Sequence, residues 1–209
     1  MTATLEASRI ARDDARRRLA EFSVRLEPGA LVAVRGAEAE CSTLIKTLCR
    51  TLEPDRGRLV LSVHDRALDL AHADPRAVAW ARRQWFGLFD GRLRALPNRT
   101  PLQIVAAGNE SEHAEASRVL GELGTNAVAE PVGLLGERER AYVALAAALV
   151  RPALIVLLHR PLAGLEQAAR KRALALVCRA RDAGSAVLAT CSPADETKGD
   201  IELAIGARP

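Results

Sequence analysis

Residues 22–50, FSVRLEPGALVAVRGAEAECSTLIKTLCR, decide the fold. Residues 31–34 (Leu31, Val32, Ala33, Val34) read as an apolar strand, Gly36 opens a short loop, and Ser42 with Thr43 begins a helix carrying Leu44, Ile45 and Leu48 on one face. This is the strand–loop–helix order of a phosphate-binding loop. Such a loop needs glycines, so that backbone N–H groups can wrap phosphate, and a lysine to meet its charge. Here the interior is Ala37, Glu38, Ala39, Glu40 and Cys41. The frame of the motif is present and its phosphate chemistry is absent.

Upstream, Phe22, Val24 and Leu26 alternate with Ser23 and Arg25, a half-buried strand running into the Pro28-Gly29 turn and giving an antiparallel entry to the sheet. Before it lie a weakly patterned segment, residues 4–10, and a polar turn at Arg12-Asp13-Asp14. Downstream, residues 53–57 read as a turn, 58–63 as a strand, and 74–86 as a helix started by Asp74 and Pro75. Trp80 and Trp85 in that helix are expected to be packing residues. Residues 87–89 make a brief strand, Thr100-Pro101 opens another helix, and 111–123 is helical with Val119, Leu120 and Leu123 facing inward. The strongest signals come last. A helix over 141–150 stops at Arg151-Pro152, the continuous apolar run 154–158 has the length and composition of a central buried strand, 165–181 is a helix, and 186–190 is a further strand. This order predicts a single α/β domain over residues 1–209, with a parallel central sheet and a helical subdomain inserted at residues 92–140.

The chain has 209 residues, nearly half of them apolar, enough for a full core. No run approaches the roughly 18 apolar residues of a membrane span, and the N-terminus lacks the charged-then-apolar order of a secretory signal. A cytoplasmic protein with no direct membrane insertion is expected. The net charge of +4 is mild. Arg16-Arg17-Arg18 has no interleaved aromatics, so it reads as a solvated face and no nucleic-acid partner is expected. Cys41, Cys49, Cys178 and Cys191 lie far apart with no CxxC pair, which suits reduced thiols.

With these elements in order, the chain resembles the nucleotide-binding subunits of ABC transporters along nearly its whole length. The matching frame is Pro28-Gly29, Ser42-Thr43-Leu44, Leu59 and Leu61, Gly87, residues 93–100, the helix around Val143 to Leu149, Pro152, residues 154–158, Pro161 with Ala163-Gly164-Leu165, and residues 187–190. The resemblance implies a P-loop NTPase-like α/β fold: a parallel core with N-terminal antiparallel strands and a small helical subdomain.

The family's functional positions are all altered. Its GxxGxGKST loop corresponds to Gly36 through Thr43, a residue shorter, with Cys41 where the lysine would stand; Gly36, Ser42 and Thr43 are the vestiges of that cofactor site. The Q-loop glutamine falls at Gly91, and the LSGGQ signature at Leu135-Gly136-Glu137-Arg138-Glu139. The magnesium-ordering aspartate aligns with His159, the catalytic glutamate with Arg160, and the switch histidine with Cys191, while the D-loop becomes Gly164-Leu165-Glu166. No aromatic is well placed before Phe22 to stack adenine. Glu38 and Glu40 stand where polyphosphate would lie, and each like-charge contact at about 4 Å costs on the order of 1 kcal/mol even when well screened. Ser42 and Thr43 read more simply as helix N-cap residues than as a magnesium ligand.

The expectation is a pseudo-ATPase with no catalytic residues and no cofactor. It would serve as a structural or regulatory subunit docked on an active ABC ATPase or on a membrane permease, and through such a partner lie peripheral to the inner membrane. Two alternatives remain at this stage. ATP with magnesium, or another anion, could be held without hydrolysis, with Arg35, Arg138 and Arg160 replacing the lysine charge. Alternatively, Cys41, His159 and Cys191, brought together at the carboxyl edge of the sheet, could form a metal or redox site. Within the family, residues 68–102 and the short end at Gly206 look most like the ABC-type subunits of the carbon–phosphorus lyase system for phosphonate use, or the lipoprotein-releasing and macrolide-exporter ATPases.

Overall fold

The structure is a computed structural model that describes residues 2–107, 109–192 and 199–205; Gly206 lies outside them. Two sheets form the protein. An antiparallel sheet has the order β2-β1-β4-β5, built from β1 (Ala3–Asp14), β2 (Arg17–Leu26), β4 (Arg56–Val63) and β5 (Arg66–Asp69). A parallel sheet has the order β6-β7-β8-β3-β9, built from β3 (Leu31–Arg35), β6 (Phe86–Phe89), β7 (Ile155–His159), β8 (Ala186–Cys191) and β9 (Ile201–Ala204). The expected α/β class with antiparallel entry strands is what forms.

Alternation along the parallel strands divides the interior into two cores. On one face Val156, Leu158, Val187 and Ala189 pack with α3 (Pro101–Val105), α4 (His113–Leu123), α5 (Glu137–Leu149) and α6 (Gln167–Asp182). On the other, Ile155, Leu157, Ala186, Leu188, Val32 and Val34 pack with α1 (Glu38–Leu48), α2 (Pro75–Trp85) and the antiparallel sheet. A helix crosses close to the edge strand at one point. A side chain at Gly87 would place Cβ 2.2 Å from the Ala148 carbonyl oxygen, so only glycine lets β6 lie against α5 there.

Local signals explain most boundaries. The Asp74 side chain caps α2 by accepting from Arg76 N, and Thr100 forms a capping box with Gln103 at α3. Four expectations need correction. Arg12-Asp13-Asp14 is not a turn: β1 is a strand throughout, with Asp13 opposite Arg18 and Asp14 opposite Arg17, and the reversal falls at residues 15–16. Polar contacts rather than apolar alternation mark that end of the hairpin, where Arg12 pairs with Asp14 at 3.0 Å and Asp13 N–H donates to Asp55 at 2.7 Å. Two short strands, β5 and β9, escape the sequence reading because both are edge strands with mostly exposed side chains. Trp80 is not a core residue, being 50% exposed, and it meets the partly buried Trp85 edge-on at a ring separation of 4.7 Å. Finally, α1 begins at Glu38, four residues before Ser42.

Candidate functional site

The carboxyl ends of β3, β6, β7 and β8 open on one edge of the parallel sheet, where a doubly wound fold places its ligand. The earlier start of α1 changes the nature of this edge. Only Gly36 and Ala37 separate β3 from the helix, so Glu38, Ala39, Glu40 and Cys41 form its first turn rather than a loop. Ala37, the N-cap residue, offers no side-chain cap; Glu38 and Glu40 instead place negative charge at the positive end of the helix dipole. A carboxylate of the chain thus stands where a phosphate would be welcomed.

The N-cap reading of Ser42 and Thr43 fails for the same reason, since both lie inside the helix. Thr43 Oγ1 donates to the Ala39 carbonyl at 2.8 Å, the back-bonding usual for an interior threonine. Ser42 Oγ accepts from Lys46 Nζ at 2.8 Å. Lys46 is the lysine of this site, one turn further on than a phosphate loop would carry it.

At the end of β7 the chain closes on itself. Arg160 adopts a left-handed backbone with φ 49°, which costs a non-glycine residue on the order of 1 kcal/mol. Its N–H donates to both the carbonyl and the hydroxyl of Thr190, at 3.0 and 3.1 Å. Its guanidinium pairs with Glu38 at 2.6 Å, joining the end of β7 to the start of α1. The Arg160 Nε is buried with no hydrogen-bond partner. His159 Nδ1 shares a 3.1 Å hydrogen bond with the same Thr190 hydroxyl. Burial pushes the imidazole below its ordinary 6.5, outweighing Glu38, which favours the proton. It is therefore neutral near pH 7.

Cys41 and Cys191 are both buried. Burial, helped by Glu40, pushes the Cys41 thiol up to about 11, which keeps it protonated and a poor metal ligand or nucleophile. Cys41 does sit within electrostatic reach of Cys191 and touches the Thr190 hydroxyl, so the expected convergence is partly realised. Among the described residues, however, no group of three or more His, Cys, Asp and Glu is placed to hold a metal ion. That arrangement speaks against Cys41, His159 and Cys191 as a metal set.

The remaining positions are scattered. Gly91 has φ 82°, and nothing lies within 4 Å of the point a Cβ would occupy, so an open turn stands at the Q-loop position. Beside it, Asp90 pairs with Arg94. Gly136 is the N-cap of α5, and its N–H donates to Glu139 at 3.2 Å, so the signature segment is an ordinary helix start. Arg138 pairs with Glu166 at 2.6 Å, both exposed. Arg35 donates to the Ser192 carbonyl at 3.2 Å and lies near Glu202. Of the three arginines expected to replace the lysine charge, only Arg160 lines the groove beside the start of α1.

That groove, about 780 Å³, is also lined by Arg17, Lys46, Asp90, Arg92 and Arg94. Sequence reasoning missed the four cations among them, Arg17, Lys46, Arg92 and Arg94. Lys46 carried a signal, since it follows Ser42 by four residues and so shares its helix face. Arg17 carried none, because only the folded hairpin brings it across.

No protein-family model and no curated protein sequence matches the chain. Solved structures do match it. The ATP-binding cassette MJ0796, in a dimeric post-hydrolysis state bound to ADP and Pi, aligns with a TM-score of 0.76 at 16% identity, over 90% of this chain and 87% of that one. A putative ABC transporter ATP-binding protein from Pyrococcus furiosus aligns with a TM-score of 0.74 at 15% identity, over 97% of each chain. The ATP-binding subunit of another ABC transporter gives 0.72 at 19% identity, over 90% of this chain and 79% of that one. The fold is that of the ATP-binding cassettes.

Proposed function

We propose that this chain is a catalytically degenerate ABC-type nucleotide-binding domain, acting as a structural or regulatory subunit of an ABC transporter or related complex without hydrolysing ATP. The observation that carries this reading is the Arg160–Glu38 pair. In the family the Arg160 position supplies the carboxylate that activates water, and the loop supplies N–H groups and a lysine for phosphate. Here a cation meets a carboxylate across that space, so the two halves of the former site satisfy each other. A neutral His159 at the metal-ordering position adds no charge for magnesium. The buried frame, by contrast, is complete, which supports a role in docking.

The partner is an active ABC ATPase, a permease, or both, and contact with it would hold the chain at the inner face of a membrane. No helix among the described residues is long and apolar enough to cross one. The dimeric state of the cassette MJ0796 supports a paired arrangement. Residues 68–102 favour the phosphonate-type or lipoprotein-releasing subgroups. The test is magnesium-dependent ATP turnover by the purified chain, alongside co-purification from its native host. Turnover at the background of a Ser42→Ala chain and a stoichiometric partner are expected; turnover abolished by Ser42→Ala would overturn the reading.

A further inference from the structure

The groove at the former loop does not end there. A second groove of about 840 Å³ runs between α5 and residues 163–165, and the two share Gly91, Arg92, Ala141 and Ala163, so they form one channel. Among the described residues, seven cationic side chains line it against three carboxylates. Two of the carboxylates, Glu38 and Asp90, are already held by Arg160 and Arg94. Arg17, Lys46, Arg92 and Arg140 face the channel with no carboxylate in ion-pair distance among the described residues.

These four cations are strung out rather than gathered. Arg17 and Lys46 line one arm, Arg140 the other, and Arg92 lines both. A compact polyphosphate needs donors converging on one point, whereas spaced cations suit charges spaced along a chain. The small residues Ala39, Ala141 and Ala163 line the channel between them and leave room for a backbone. Among the described residues no Trp or Tyr lines it, and Phe89 is buried and offers no ring face to a base.

From this we infer that the channel binds an extended acidic polypeptide segment of the partner subunit, its carboxylates running from Arg17 and Lys46 past Arg92 to Arg140. The inference rests on the reading of the chain as a docking subunit and gives that docking a place and a chemistry. Such binding is electrostatic, so it weakens with salt.

The experiment is fluorescence anisotropy of a fluorescein-labelled oligo-glutamate peptide titrated with the full chain at low and near-physiological salt. Saturable binding is expected, weakened about tenfold or more by Arg92→Glu with Arg140→Glu, and unchanged by Arg16→Glu with Arg18→Glu, two exposed arginines that line neither groove. The milder Arg92→Gln with Arg140→Gln gives the same ordering if charge reversal disturbs folding by circular dichroism. Absence of saturable binding at low salt overturns the inference. So do equal losses in the two reversed-charge variants, or tighter occupation of the same site by Mg-ATP or a single-stranded oligonucleotide. ATP turnover measured on the same preparation keeps the two readings separate: a chain that hydrolyses ATP fails the proposed function, while one that neither hydrolyses nor binds the peptide fails only this inference.

Discussion

Along β7 and β8 the side chains change character within a single residue. Val156, Leu157 and Leu158, like Val187, Leu188 and Ala189, are at most 1% exposed and belong to the two cores. The next residues, His159 with Arg160 and Thr190 with Cys191, form a polar knot tied to α1 through Glu38. The interior is packed as any α/β sheet must be, whatever its ligand. The edge is packed by polar contacts instead, with the Arg160 guanidinium of the β7 end meeting the Glu38 carboxylate at the start of α1.

The contrast is open to attack. Leu157→Ala, which empties a fully buried position, should cost about 3 kcal/mol and lower the urea midpoint accordingly. A loss below about 1 kcal/mol would show the interior to be looser than its burial implies. Thr190→Val removes the hydroxyl shared by His159 and Arg160 and should cost about 1–2 kcal/mol in the same titration, since Arg160 N–H keeps the Thr190 carbonyl.

The edge should also carry a pH signature. Because burial lowers the folded-state pKa of His159, the unfolded chain takes up the proton first as pH falls. Stability contributed by the neutral imidazole is present above 6.5 and is lost as pH drops from there towards the lower folded value. Relative to His159→Gln, the wild-type chain should lose stability over that window, at no more than about 1.4 kcal/mol per pH unit. Parallel curves for the two proteins would place His159 in solvent. The smallest effect is expected of Arg160→Gly. Relief of the left-handed backbone offsets loss of an ion pair whose Glu38 side chain is 72% exposed, for a net change under about 1 kcal/mol by urea titration. A loss of several kcal/mol would make that pair a structural clasp.

The same division governs how much can be read from the sequence. Runs of buried apolar residues announce β3, β7 and β8, and capping residues announce α2 and α3, because these signals are local. The N-terminus of α1 is misread although Ala37 through Glu40 are good helix formers, since the phosphate-loop frame suggests a loop there. β5 and β9 are missed because each is a four-residue edge strand with mostly exposed side chains, and the end of β1 because its contacts are polar, reaching as far along the chain as Asp55. At the site, the altered positions at 159, 160 and 191 do meet at one edge. The pairing of Arg160 with Glu38 spans more than a hundred residues of chain and no local pattern could disclose it.

The strand order also sets a timetable. β3, the strand that leads into α1, lies between β8 and β9, so both of its neighbours leave the ribosome after residue 185. The β1–β2 hairpin can close at once and α1 can pack Leu44, Ile45 and Leu48 on it, but β3 itself must wait for both of its partners until nearly the whole chain has been made. During synthesis the two unpaired edges of β3, with Leu31 to Val34 between them, are the surface left open longest.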